Sequence, residues 1–212
     1  MMANMSYLEI TAAVLALMIA IIGHEIMHGL VAYKYGDNTA KNAGRLSINP
    51  IVHIDPVGTI LLPAILYFSG APFMFGWAKP VPIDIRTVLR NGGYAGAIAV
   101  SLAGITYNFS LAILASFVFP YFNVAGSFTG YLLYMLVVYN VVLGIFNLYP
   151  IPPLDGAHAL EYFSRIIKAD YIADFLNKME RYGMIILIIF IATPLANYFF
   201  YPAIYIIDLL LN

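Results

Sequence analysis

Residues Tyr7 to Tyr35 read YLEITAAVLALMIAIIGHEIMHGLVAYKY. The run is apolar apart from a polar cluster at Gly23-His24-Glu25 and His28, and it is long enough to cross ~30 Å of hydrocarbon. It predicts a membrane-spanning helix with ionisable groups inside it. On a helix, positions four apart share a face, one turn apart. His24 and His28 therefore present two imidazoles to one point, a pairing suited to a zinc ion. Glu25 between them is placed to deprotonate a water there as general base. Ionisable groups within a span are costly and mark function by default. The alternative is a pair of polar residues satisfied at a helix–helix contact.

Composition supports lipid as the solvent. The chain has 212 residues, 62% of them hydrophobic and 10% charged, with a mean hydropathy of +0.86. Ordinary soluble domains carry about 25% charge. A net charge of −1 argues against nucleic acid as a partner. No cysteine is present, which excludes disulfides, thiolate metal sites and a cysteine nucleophile. Any metal must be held by carboxylates and the four histidines, His24, His28, His53 and His158. The first apolar run lacks a basic flank and a small-residue cleavage site, so it reads as a retained helix and not as a signal peptide.

From Lys34 to Asp55 the chain turns polar and rich in Asn and Gly. Leu46, Ile48 and Ile51 alternate there, which predicts a short extended segment. Val57 to Phe68 is apolar but short for a span, and suits a re-entrant element. Gly70 to Asn91, with Pro72, Pro80 and Pro82, reads as an interfacial loop or hairpin. Gly93 to Phe119 predicts a second span and Gly126 to Leu148 a third. Asp155–Lys168 and Asp170–Arg181 read as amphipathic helices, and Tyr182–Leu211 as an apolar stretch kinked at Pro194. The fold class is thus an all-α membrane protein. It has a three-helix catalytic core, a re-entrant or extended segment, and C-terminal helices. A single domain covers 1–212, its core about 7–160 and its C-terminal helices 161–212. The ten Lys and Arg fall in three stretches, 34–45, 79–90 and 165–181. The positive-inside rule puts all three in the cytoplasm. Helices one and three then run parallel, with helix two antiparallel between them.

A catalytic zinc site needs three protein ligands and an open position. The stretch Asn147-Leu-Tyr-Pro-Ile-Pro-Pro-Leu-Asp155-Gly156 offers the third. Its prolines unwind the helix end, and irregular backbone at membrane depth is tolerated where it lines a wet cavity or is buried in protein. The parallel topology brings Asp155 to the level of His24 and His28. Asp155 is also a favoured helix N-cap, so both roles stay open on spacing alone.

HEIMH on the first helix and NLYPIPPLDG ending the third resemble the site-2 protease family of intramembrane zinc metalloproteases. The stretches from Asn49 to Thr59 and from Phe75 to Pro82 are similar to further segments of its compact bacterial and archaeal members, which lack PDZ-like or CBS-like insertions. The resemblance runs from about residue 20 to 160. It implies His24, His28 and Asp155 as ligands of one zinc ion per chain and Glu25 as the catalytic glutamate. It implies Asn147 as a contact for substrate backbone or the developing oxyanion. Family members often carry Gly-Pro-x-x-Asn on helix two; here Gly104-Ile-Thr-Tyr-Asn108 lacks the proline, and Asn108 is either a second such contact or a bond to a neighbouring helix. His53 reads as a regulatory group or one that bonds a zinc ligand from behind, or as a loop histidine bonded to backbone. His158 reads as an interfacial residue or as one that bonds a zinc ligand from behind.

The expected function is hydrolysis of peptide bonds in transmembrane proteins. It is expected in a prokaryotic cell membrane, with water reaching the site from the cytoplasm. The 46–56 segment is expected to pair with extended substrate, and 182–211 to gate lateral access. Two rivals remain at this level. A membrane zinc transporter needs intramembrane His and carboxylate groups, but arranged as several exchangeable sites. A catalytically silent relative would bind membrane helices without cutting them.

Overall fold

The computed structural model describes residues 6–70, 76–122 and 127–212. Pro72 and Phe75, and the centre of the turn between the second and third spans, lie outside them. Among the described residues every regular element is helical.

Helix α1 runs from Tyr7 to Lys34. It starts at a reciprocal cap: Ser6 N–H donates to Glu9 Oε2 at 2.7 Å and Glu9 N–H to Ser6 Oγ at 3.3 Å, satisfying donors that the first turn leaves orphaned. Ala12, Ala16, Ala20, His24, His28 and Ala32 form one row at a spacing of four, and all are buried. Small side chains in this row let neighbouring helices come close. The two imidazoles occupy the same buried face.

After α1 come a short helix α2 (Thr39–Asn42) and a 3-10 turn at Pro50–His53. The extended segment expected around Leu46, Ile48 and Ile51 is not a strand; it consists of bends and that turn. The physical reason is local: the Asn49 carboxamide oxygen accepts the Ile51 N–H at 3.1 Å, and Pro50 has no N–H for a ladder. A π-helical turn (Pro56–Leu61) and α3 (Leu62–Phe68) then form one short apolar helix.

Helix α4 covers Ile85–Val118. It starts eight residues before the expected Gly93, because Asp84 caps an earlier turn by accepting Arg86 N–H and Thr87 Oγ–H. Gly93 still marks a break. Its φ of 60° and ψ of −162° kink the helix, a conformation open essentially to glycine alone. Helix α5 is Phe128–Leu148, and α6 is Asp155–Ile166. Helix α7 runs unbroken from Asp170 to Ala192, so the expected boundary near Arg181 does not exist. The break comes at Thr193-Pro194, where α8 (Leu195–Leu211) turns off at 84°.

Among the described residues three helices are long and apolar enough to cross a membrane: Tyr7–Lys34, Ile85–Tyr121 and Phe128–Leu148. The bent α7–α8 pair is a fourth candidate. Helices α1, α4 and α5 pack against one another. Asn91 Nδ2 donates to Tyr35 O at 2.7 Å, and Asn108 Nδ2 to Ala20 O at 3.2 Å, so α4 descends as α1 rises. The α1–α4–α5 core includes Ala16, Ala112, Val137 and Val141, with Ala203 of α8 closing it. Helix α6 packs on α4 and α7. The antiparallel middle helix of the sequence reading is thus present.

A methyl group at Gly93 would meet no atom within 4 Å, so its penalty is purely one of backbone conformation. Gly93→Ala is expected to destabilise the protein by about 1–3 kcal/mol, read as a lower Tm of detergent-solubilised protein. An unchanged Tm would show that the kink is not imposed by the fold.

Candidate metal centre

The buried row of α1 brings His24 and His28 together one turn apart. Helix α4 fixes both rings from behind. His24 Nδ1 lies 2.7 Å from Asn108 Oδ1, and His28 Nδ1 lies 2.7 Å from Val100 O. Both partners are acceptors, so each Nδ1 carries a proton, and in the neutral ring each Nε2 then presents a lone pair. The rings can lie this close to α4 because residue 104 is glycine. A Cβ there would sit 2.5 Å from both imidazoles.

Asn108 is itself held on all sides. It is fully buried, and its amide donates to Ala20 O and, at 2.8 Å, to Asn140 Oδ1. Its oxygen faces His24. The residue read as a possible substrate contact is turned toward the histidine instead. Asn140 completes this chain of bonds and was not identified from the sequence. An asparagine in the middle of an apolar helix was the available signal.

The third side of the site comes from the α5–α6 connection. Pro150, Pro152 and Pro153 end the helical ladder and Asp155 opens α6. Tyr149 anchors the break: its ring stacks on Phe199 at 3.8 Å and its hydroxyl donates to Phe199 O at 2.6 Å. Asp155 forms no side-chain cap on its own helix. Its Oδ2 points at the imidazoles, 3.1 Å from His24 Nε2 and 3.2 Å from His28 Nε2. The two Nε2 atoms are 3.1 Å apart.

Three electron-rich atoms therefore converge, and Asp155 Oδ2 is buried without a hydrogen-bond donor. Such a cluster is unfavourable unless a cation sits among them. Zinc bonds N and O ligands at ~2.0–2.2 Å in a tetrahedral array, which separates neighbouring ligand atoms by about 3.3 Å. The observed triangle fits that spacing. Among the described residues, His24, His28 and Asp155 are the group of His and carboxylate side chains able to hold a metal ion.

A cavity of about 560 Å³ opens beside this triangle. Glu25, Asn147 and His158 line it, with apolar walls that include Phe146 and Leu187. Glu25 is half-buried, and its Oε2 accepts the Val81 N–H at 2.8 Å. The segment 76–84 forms a strap over α1. Trp77 N–H donates to Gly58 O and Lys79 N–H to His53 O, while the buried Arg45 donates to Lys79 O at 2.6 Å. The tie between Glu25 and the strap had no sequence signal, because any residue but proline supplies a backbone N–H. His53 lies outside the cavity lining. Its Nε2 donates to Ser47 O at 2.8 Å, which is the backbone-bonded alternative weighed for it.

Groups behind a metal-binding histidine tune affinity by about 10–100-fold. Asn108→Ala is expected to weaken zinc binding by that factor, measured by competition with a chelating dye on purified protein. Zinc affinity equal to that of the unaltered chain would mean that Asn108 does not orient His24.

Residues 123–192 match the Peptidase family M50 profile. The chain is 36% identical over 206 residues to "Putative zinc metalloprotease YwhC" of Bacillus subtilis, covering 93% of this chain and 85% of that protein. It is 28% identical over 187 residues to "Putative zinc metalloprotease Rip2" of Mycolicibacterium smegmatis, covering 86% and 67%. It is 29% identical over 163 residues to "Putative zinc metalloprotease MJ0611" of Methanocaldococcus jannaschii, covering 75% and 74%. No solved structure matches significantly. With its apolar helices, its zinc-compatible triangle and a relative of this identity over nearly its whole length, the chain belongs to peptidase family M50, the site-2 protease family of zinc metalloproteases.

Proposed function

We propose that the chain cuts peptide bonds of membrane-embedded proteins at one zinc ion held by His24, His28 and Asp155, with Glu25 as general base. The observation that carries this reading is the convergence of two imidazole Nε2 atoms and one carboxylate oxygen within about 3.2 Å of one another at the wall of a cavity. Residues 7–160 form the catalytic core and 161–212 close it, as one domain. The three basic stretches face the cytoplasm of a prokaryotic cell, and the cavity opens to that side.

A zinc ion held by His24, His28 and Asp155 would supply Lewis acidity to the scissile carbonyl and to a water molecule. Val81 N–H holds one oxygen of Glu25, which leaves the other to accept the proton of that water. Glu25 then returns the proton to the departing amine. Asn147 lines the cavity and spends only one amide N–H, on Leu143 O at 3.0 Å; the other N–H and its oxygen meet substrate backbone.

A helical substrate has no free carbonyl or N–H to offer, so it must be extended at the cut. The sequence assigned its pairing edge to 46–56, but the strap fits better. Trp77, Lys79 and Val81 turn their N–H groups toward the protein, a period of two. Trp77, Ala78, Pro80 and Val81 all line the cavity, and on the opposite edge Ala78 has an N–H while Pro80 has only a carbonyl. Substrate pairs along that edge by strand addition. Met184 and Leu187 of α7 also line the cavity, which supports α7 as the flank through which substrate arrives.

The transporter alternative needs several sites along a route, and the described residues hold one compact group. Against a silent relative stands Glu25, held beside the triangle with one oxygen unspent. Glu25→Gln is expected to lower cleavage of a reconstituted transmembrane substrate by at least ~10²-fold and to leave zinc content unchanged. Cleavage at the original rate would remove Glu25 as the base.

A further inference from the structure

Attack of water on the scissile carbonyl forms a C–O bond and moves the carbonyl π pair onto oxygen. That oxygen gains negative charge and calls for a hydrogen-bond donor beside the metal. The polar groups of the site can be counted for spare donors. Asn108 has none, since both of its amide N–H groups are engaged. Ser101 spends its hydroxyl on Ala97 O at 3.0 Å. His24 and His28 spend their Nδ1 protons on Asn108 and Val100. Of the Asn, His, Ser and Tyr side chains at the cavity, those that keep an N–H or O–H are Asn147, His158 and Tyr162.

Tyr162 is committed to packing. Its ring stacks near-parallel on Tyr94 at 6.5 Å, and it sits against the cluster of Ala32, Val88, Ala97 and Val100. His158 is different. It lies three residues after Asp155 on α6, one turn away on the same face, about 5–6 Å between Cβ atoms. It is half-buried and lines the cavity, and its side chain has no hydrogen-bond partner among the described residues. On its other side it borders a narrow crevice with Glu161 and Glu180, of which Glu161 is engaged by Asn177 at 3.0 Å. A neutral imidazole always carries one N–H, so a donor is present whichever tautomer is adopted.

We infer that His158 donates a hydrogen bond to the oxyanion formed at the scissile carbonyl, acting with the metal and distinct from the proton transfer by Glu25. The inference rests on the zinc-protease reading above. It gives α6 two tasks on one face: Asp155 in its first turn anchors the ion, and His158 one turn later stabilises the charge that develops next to it.

The test uses the zinc-loaded full chain in detergent micelles and a phosphinic pseudopeptide with Leu and Phe side chains. Its tetrahedral phosphinyl group carries an oxygen where the oxyanion forms. Calorimetric binding is compared for the unaltered chain, His158→Ala, His158→Gln and Tyr162→Phe, with zinc content measured for each. His158→Ala is expected to bind the phosphinate about 100-fold more weakly with full zinc content. His158→Gln, which keeps an N–H, should recover part of the loss and also serves if the alanine variant fails to fold. Tyr162→Phe should bind like the unaltered chain. Equal binding by His158→Ala and the unaltered chain, loss of zinc in both His158 variants, or a loss in Tyr162→Phe that matches His158→Ala would each overturn the inference. Failure of the unaltered zinc-loaded chain to bind the phosphinate would instead defeat the zinc-protease reading itself.

Discussion

Two imidazole lone pairs and one carboxylate oxygen held about 3.1 Å apart repel one another, and the rest of the structure is arranged so that they cannot separate. Neutralising that repulsion requires a cation. In a bilayer the requirement is sharper, because a buried unpaired charge has no water to relax into. The fold thus gathers three groups suited to bind one positive ion.

The three groups owe their positions to several elements. Helix α1 supplies the histidines, but α4 decides which nitrogen of each ring faces inward, through Asn108 and the Val100 carbonyl. Gly104 makes that approach possible. The α5–α6 break delivers Asp155, and α8 steadies the break through Phe199. Glu25 is positioned by yet another part, the strap, whose own footing is Arg45, His53 and Gly58. Ion binding and the orientation of the proposed base thus depend on separate supports.

Much of this was legible in the residues. The apolar runs of α1, α4 and α5 gave three spans and the HEIMH spacing gave the paired imidazoles, because helical periodicity and the expense of polar groups in lipid are strong constraints; spacing alone left Asp155 open between helix cap and metal ligand, and the resemblance put it with the histidines. The supports of the site were not legible. Val81 and Val100 act through backbone atoms that carry no side-chain signature. Asn108 was visible, but spacing along α4 does not say whether its amide faces the cavity or the back of His24. Leu46, Ile48 and Ile51 alternate as a strand would, yet Pro50 and the Asn49 side chain close a turn there. The composition changes at Arg181, but the backbone ladder of α7 continues to Ala192 because no proline interrupts it before Pro194.

X-ray absorption at the zinc edge of the purified chain tests the shared ion most directly. The expected result is one zinc per chain with two imidazole nitrogens and a carboxylate oxygen at ~2.0–2.2 Å, the oxygen contribution changing in Asp155→Ala. A zinc-free protein that stays inactive when zinc is added, or a spectrum that Asp155→Ala leaves untouched, would contradict the assignment of all three side chains to a single ion.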